Sequence, residues 1–208
     1  RTGAGLDELK SALQAIVTAS PPRPDLGRPR LPVDRVFSMT GFGTVVTGTL
    51  QDGIFRTGDE VEILPAGIRG RIRGLQTHKR KEQTAHPGSR TAINLSGVEM
   101  EQVRRGDVIS LPGKYKPTQR MDVHFRMLRD ASRPLLHSTQ VKLFLGAAEV
   151  PARVRILGNE FIKPGEEGFI QLEMESAVVA VRGDHFIIRW PSPGETIGGG
   201  EVVDPYPA

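Results

Sequence analysis

Cysteine is absent from the 208 residues. With no thiol there is no disulfide framework, no thiolate metal site and no cysteine nucleophile, a composition that fits a reducing cytoplasm. No apolar run approaches the ~20 residues that a membrane-spanning helix needs, and no secretory signal pattern opens the chain. The expectation is a cytoplasmic protein with no membrane partner. The GxxxxGK[ST] run is also missing, and with it the backbone cradle, the lysine and the metal-binding hydroxyl of a nucleotide-phosphate site. Ser, His and Asp all occur, but no G-x-S-x-G elbow does. His124, His137 and His185 have no zinc-ligand spacing, and scattered histidines are commonly hydrogen-bonded structural residues. The sequence therefore points to no catalytic residue and no metal ligand.

What is present is a hydrophobic fraction of 38%, enough for a core in each of two ordinary domains at this length. Lys and Arg number 28 against 24 Asp and Glu, a net charge of +4, compatible with a polyanionic partner without requiring one. The chain opens abruptly on "RTGAGLDELKSALQAIV", which reads as a piece of something longer. Leu6, Leu9, Leu13, Ile16 and Val17 recur at helical spacing, with Asp7 and Glu8 in the first turn, where they complement the helix dipole. One amphipathic helix is predicted over 1–20. The proline-rich stretch "TASPPRPDLGRPRLP" can continue neither a helix nor a paired strand, so 21–32 is expected to be a linker.

From Val33 the pattern changes to short β-rich runs between Gly, Pro, Asp and Asn turns. Predicted strands run over 36–39, 44–50, 60–64, 68–76, 90–95 and 107–110. After a break at "PGKYKPTQ" a second set follows over 121–128, 139–145, 148–157, 168–174, 185–190 and 200–203. With no intervening helix, the fold class is mainly β: two consecutive antiparallel β-barrels, 33–115 and 116–208, preceded by one N-terminal α-helix, since closure removes the exposed edges that isolated sheets would leave. In "VFSMTGFGTVVTGTL", Gly41 and Gly43 suit a strand turn, while Gly48 suggests a bulge or a barrel corner. "TIGGGEVVDP" reads as a bulged strand entry, and Trp190 as core or interdomain packing.

Beyond pattern, "LPVDRVFSMTGFGTVVTGTL" resembles the start of the second domain of translational GTPases of the elongation factor Tu superfamily. "TGAGLDELKSAL" looks like the last helix of their nucleotide-binding domain, and "PGSRTAINLSGVEMEQVRRGDVIS" is similar to the later part of the second domain. Within the superfamily, "GLQTHKRKEQTAHPGSRTAINL", "RPLLHSTQVKLFLGAAEVPARVRIL", "VVAVRGDHFIIR" and "TIGGGEVVDP" together resemble the selenocysteine-specific elongation factors over nearly the whole chain. The resemblance implies second and third domains, both β-barrels, that hold selenocysteinyl-tRNA for delivery to the ribosome. GTP and magnesium are then expected only with a nucleotide-binding domain, and messenger RNA hairpin binding only with a C-terminal winged-helix region, neither of which this sequence contains. The alternative within the superfamily is the same domain pair of an ordinary elongation factor or an initiation factor.

In that family an acidic-basic pair and a later arginine are implicated in recognising selenocysteine; by motif these fall on Asp34 and Arg35 of "PVDRVF" and on Arg90 of "GSRTAINL". The ordinary factor carries an acidic residue at the position of Arg35 and a neutral amide at that of Arg90. The chemistry is consistent with that role: a selenol is more acidic than a thiol, whose pKa is ~8.5, so near neutral pH selenocysteine is largely an anion and serine is not. Asp34 could orient an arginine or accept from the ligand's amino group. Without the resemblance, the two arginines read as exposed barrel residues with Asp34 as a surface partner.

"IRGRIRG" places Arg69, Arg71 and Arg73 on one strand face while Ile68 and Ile72 turn toward the core, and Lys79, Arg80 and Lys81 of "HKRK" extend the positive charge into the next turn. This is either a solvated barrel face or a contact with tRNA phosphates, which would release condensed counterions. Arg120, Arg126, Arg129 and Arg133 are further candidates for the tRNA stem. A reading of another class, a hydrolase using Asp34 or Asp184 with a nearby histidine, completes the possibilities.

Overall fold

Residues 3–21, 25–39, 41 and 43–207 are described by a computed structural model. Residues 1–2 of the expected helix and 22–24 of the expected linker lie outside them. The helix α1 (Leu6–Ala19) forms as its periodicity predicts. Its stripe Leu6, Leu9, Leu13, Ile16 and Val17 packs against nothing in the described residues, each side chain being more than half exposed.

The first barrel contains β1 (Arg30–Met39), β2 (Gly43–Thr49), β3 (Phe55–Arg56), β4 (Glu60–Leu64), β5 (Ile68–Thr77), β6 (Arg80–Glu82), β7 (Thr84–Ala85), β8 (Arg90–Ser96) and β9 (Val108–Ser110). The strands run in the order β4-β9-β1-β2-β8-β5, and β4 also pairs with β5, which closes a ring of six. β6 is appended to β5, and β3 with β7 forms a separate two-stranded ribbon. Alternation makes the core: Thr91, Ile93 and Leu95 of β8 point inward, where they share the interior with Val33, Val46, Val61, Ile63, Ile72 and Ile109. Burying each large apolar side chain contributes about 1.5–3 kcal/mol. β1 reaches back to Arg30 because Arg30, Leu31 and Pro32 pair with Ser110, Ile109 and Val108 of β9, so strand pairing enters the stretch expected to be linker.

The second barrel contains β10 (Thr118–Met127), β11 (Leu135–Leu136), β12 (Gln140–Leu145), β13 (Ala148–Leu157), β14 (Phe161–Ile162), β15 (Glu167–Val178), β16 (His185–Arg189) and β17 (Thr196–Asp204). It closes in the order β10-β15-β13-β12-β16-β17, around a core that includes Phe125, Leu143, Ile170, Phe186 and the buried Trp190. β17 lies between β10 and β16, and its "GGG" is required there. A Cβ on Gly198 would overlap the carbonyl oxygen of Arg126, one on Gly199 that of Phe186, and one on Gly200 that of His124. The strand is bulged near its start, where the register shifts between Ile188 and Arg189.

An extra residue in β1 distorts the first barrel beside β2. Val33 pairs with Gly48 and Arg35 with Thr47, so Asp34 and Arg35 together oppose a single residue. Val33 is buried and Val36 packs on the core, which leaves both intervening side chains on the outer face. A bulge of this kind bends and twists its strand locally. Gly48 permits it by accepting close backbone contact: a Cβ there would overlap the carbonyl oxygen of Pro32 and lie 2.6 Å from Leu31 Cδ2. Gly41 and Gly43 both adopt positive φ at the turn joining these strands.

The barrels meet through an apolar cluster of Leu64, Val108 and Val179 with Tyr115 against it, and through an ion pair. Arg30 of β1 grips Asp184, just before β16, with Nη1 to Oδ2 at 2.5 Å and Nη2 to Oδ1 at 2.6 Å. Burial alone would lower the Arg30 pKa, but the hydrogen bond and charge of Asp184 outweigh it, so the guanidinium holds its proton more tightly than usual. The Tyr115 ring lies 5.8 Å from the Arg30 guanidinium, and its hydroxyl donates to the Arg28 carbonyl at 2.6 Å.

Two outcomes are expected from this packing. Gly48→Ala should destabilise the chain by about 1–3 kcal/mol, the usual cost of overfilling a packed contact, seen as a lower urea midpoint. The Tyr115 phenol is pushed up to about 12, chiefly by burial. It therefore keeps its proton in the folded chain while the unfolded chain loses it near 10, so its contribution is complete below pH 10 and is lost as pH rises toward 12. Denaturation between these limits should show stability falling with pH, and Tyr115→Phe should flatten that slope.

Candidate functional site

The bulge in β1 places Asp34 and Arg35 beside outward residues of β2 and β8. Arg35 pairs with Thr47, and Thr49 with Arg90, so Arg35, Thr47, Thr49 and Arg90 share one side of the sheet. Thr47 Oγ1 donates to Asp34 Oδ1 at 2.5 Å. Arg90 Nη2 approaches Asp34 Oδ2 at 2.9 Å and Oδ1 at 3.2 Å, and stands 3.5 Å from Thr47 Oγ1. All three residues singled out in the sequence are thus brought to one face, with Asp34 half-buried and both arginines exposed.

Two guanidiniums and one carboxylate leave this cluster one positive charge in excess. Arg90 is partly neutralised by Asp34, whereas Arg35 has no ion-pair partner among the described residues, so the unbalanced charge sits mainly on Arg35. Two further residues join the face without having been singled out. Thr47 ties Asp34 in place, and Phe37, two positions beyond Arg35 on β1, leaves its ring partly exposed. Phe37 was accessible from period-2 spacing; Thr47 was not, because its partner depends on the extra residue in β1.

Farther along the same face, a cleft of about 420 Å³ is lined by Val45, Leu75, Gln76, Ala92 and Asn94 together with Arg73, Lys81 and Glu82. It adjoins the cluster: Val45 lies one outward step before Thr47 on β2, and its partner Asn94 one step after Ala92, the partner of Thr47, on β8. Thr57 Oγ1 and Asn94 Oδ1, both in the cleft lining, are buried without a hydrogen-bond partner.

The basic strand divides into two groups. Arg69 and Arg71 point outward as expected, but Arg69 stands 3.6 Å from Glu62 and Arg71 2.9 Å from Glu60, because β4 pairs with β5 in the register Glu62↔Arg69 and Glu60↔Arg71. Arg73 sits at a second bulge, where the pairing with β8 shifts between Ile72 and Gly74. Beyond it, β5 and β6 are joined through His78 and Lys79, both at positive φ, as a two-residue turn of the primed type requires. Lys79, Arg80 and Lys81 are exposed around this tip, and neither they nor Arg73 form an ion pair among the described residues.

In the second barrel, Arg120 approaches Glu173 at 3.6 Å and Arg126 approaches Glu167 at 3.1 Å. Arg133 lies over Trp190, 4.6 Å from the ring centroid. Asp184 is committed to Arg30, and the polar neighbours of Asp34 are Thr47 and Arg90 rather than a histidine, so neither aspartate is set up as half of a hydrolytic pair. Among the described residues no group of three His, Asp or Glu is arranged to hold a metal ion.

Two family models match the chain: Elongation factor Tu domain 2 over residues 43–110, and Selenocysteine-specific elongation factor, beta-barrel domain, over residues 120–208. A selenocysteine-specific elongation factor from Desulfomicrobium baculatum is 41% identical over 206 residues, 98% of this chain and 32% of the relative. An elongation factor 1-alpha from Pyrobaculum islandicum is 29% identical over 94% of this chain and 48% of its own length. The apo crystal structure of translation elongation factor SelB from Methanococcus maripaludis superposes with a TM-score of 0.81 at 25% identity, covering 98% of this chain and 48% of that one. The chain thus spans about a third to a half of the length of these relatives. In this order along the chain, the first barrel is similar to domain 2 of elongation factor Tu and the second to the beta-barrel domain of selenocysteine-specific elongation factors.

Proposed function

We propose that this barrel pair grips the aminoacyl end of selenocysteinyl-tRNA in a factor that delivers it to the ribosome. Supporting this is the placement of Asp34, Arg35 and Arg90 on one outer face of the first barrel, with Arg90 reaching the Asp34 carboxylate. A selenolate gains charge-assisted hydrogen bonds from guanidiniums, each contributing roughly 1.5–3 kcal/mol; the neutral hydroxyl of serine gains nothing comparable. Two imperfectly placed arginines amount to about 2–4 kcal/mol, a preference on the order of 30- to 1000-fold. The adjoining cleft supplies room for the acceptor end that carries the amino acid.

Within this reading, Arg73, Lys79, Arg80 and Lys81 are the cations available to tRNA phosphates, while Arg69 and Arg71 already have carboxylate partners. Because the sequence has no GxxxxGK[ST] run, this reading assigns GTP and magnesium to a nucleotide-binding domain of the full-length factor, and messenger RNA hairpin binding to a winged-helix region. The alternative, the corresponding domains of an ordinary elongation factor, is disfavoured by arginine at positions 35 and 90.

In the full-length factor, Arg35→Ala and Arg90→Ala should each weaken selenocysteinyl-tRNA binding by more than tenfold and seryl-tRNA binding far less, measured as dissociation constants; equal losses for the two tRNAs would remove the selectivity reading. Replacing Lys79, Arg80 and Lys81 together by Ala should reduce the slope of log affinity against log salt for every tRNA alike. An unchanged slope would leave the hairpin as a solvated surface.

A further inference from the structure

β1 carries two arginine–aspartate contacts of opposite character. Arg30 and Asp184 are almost fully buried and joined through two nitrogen–oxygen pairs, an arrangement in which loss of either partner strands a charge away from water. Arg90 and Asp34 are 56% and 31% exposed along their side chains, and only one guanidinium nitrogen, Nη2, reaches the carboxylate. Ion pairs of that exposure contribute little net stability, about 0–1 kcal/mol. The first contact is structural; the second is readily exchanged.

Resting on the selenocysteinyl-tRNA reading above, we infer that Asp34 is an exchangeable counterion. It holds Arg90 while the site is empty. It then passes to the α-ammonium of the incoming aminoacyl ester, which frees Arg90 to turn onto the side-chain anion. Thr47 makes the exchange possible without loss of geometry. Its hydroxyl engages Asp34 Oδ1 at 2.5 Å, so the carboxylate keeps its orientation while Oδ2, the oxygen nearest Arg90, changes partner.

Charge matching favours this order of events. A selenocysteinyl ester carries its ammonium nitrogen and its selenium three bonds apart, through Cα and Cβ; the site offers one carboxylate and two guanidiniums. After exchange, ammonium faces Asp34, and the selenolate faces Arg35 and Arg90. A seryl ester also brings an ammonium to Asp34, but Arg90 then loses its carboxylate and finds no anion in return. Discrimination thus gains a repulsive element against the wrong ligand as well as an attraction for the right one. An ester without an amine leaves Arg90 on Asp34 and meets only Arg35.

The test needs no mutation at first. In the full-length factor, dissociation constants are compared for tRNA carrying selenocysteine or serine, and for tRNA esterified with 3-selanylpropanoic or 3-hydroxypropanoic acid, which lack the amine. The selenium-over-oxygen preference should be smaller for the amine-free pair by roughly ten- to a hundredfold, the worth of one charge-assisted hydrogen bond. Asp34→Asn, which releases Arg90 at the outset, should restore the preference of the amine-free pair. The exchange is overturned if the preference is the same with and without the amine while Arg90→Ala still lowers it, because Arg90 then reaches the anion unaided. If Arg35→Ala and Arg90→Ala both leave the preference untouched, the anion-selective reading itself fails, and the exchange with it.

Discussion

One additional residue in β1 governs what the outer face of the first barrel can do. A regular strand would send Asp34 and Arg35 to opposite faces, burying one charged side chain in a core filled by Val33, Val46 and Ile93. The bulge opposite Thr47 sends both outward while preserving the inward positions of Val33 and Val36 on either side. It exists where Gly48 lets the backbone of β1 approach β2 more closely than any side chain would allow. Acid, base and hydroxyl are consequently held within one small area by the geometry of closure rather than by a flexible loop.

The same strand anchors the two barrels to each other. Four residues before Asp34, Arg30 closes on Asp184, with Tyr115 beside the guanidinium and the Leu64, Val108 and Val179 cluster nearby. Removal of charge from water is costly, and only the two-pronged contact with its added hydrogen bonds offsets that cost. Exposure separates the roles of these otherwise similar arginine–aspartate pairs: the dry one sets how the barrels sit, and the wet one stays available for exchange.

Much of the fold was legible from local pattern. β8, β12 and β13 appear near their expected limits because alternation of inward and outward side chains specifies a half-buried strand, and β2 does so because glycine turn signals and a β-branched run bound it. The very short strands β3, β6, β7, β11 and β14 escaped, since two or three residues carry no period. The start of β1 was hidden by the prolines around it: Pro32 would ordinarily argue against a paired strand, yet it lies in the segment that pairs with β9. Arg69 and Arg71 looked as free as Arg73 in the sequence; the register of β4 against β5 brings Glu62 and Glu60 to the first two and leaves the third at a bulge.

By itself, the sequence determined the number of barrels, the composition of their cores and the presence of two arginines and an aspartate in motifs of this family, because alternation and turn chemistry act over a few neighbouring residues. Only the tertiary structure decided which charges are spent and which are free. Arg30 and Asp184 are 154 residues apart in the chain, and Arg90 and Asp34 are 56. Their meeting depends on strand order and on one inserted residue, and a pairing energy that falls off over a few ångströms cannot be read before those are set.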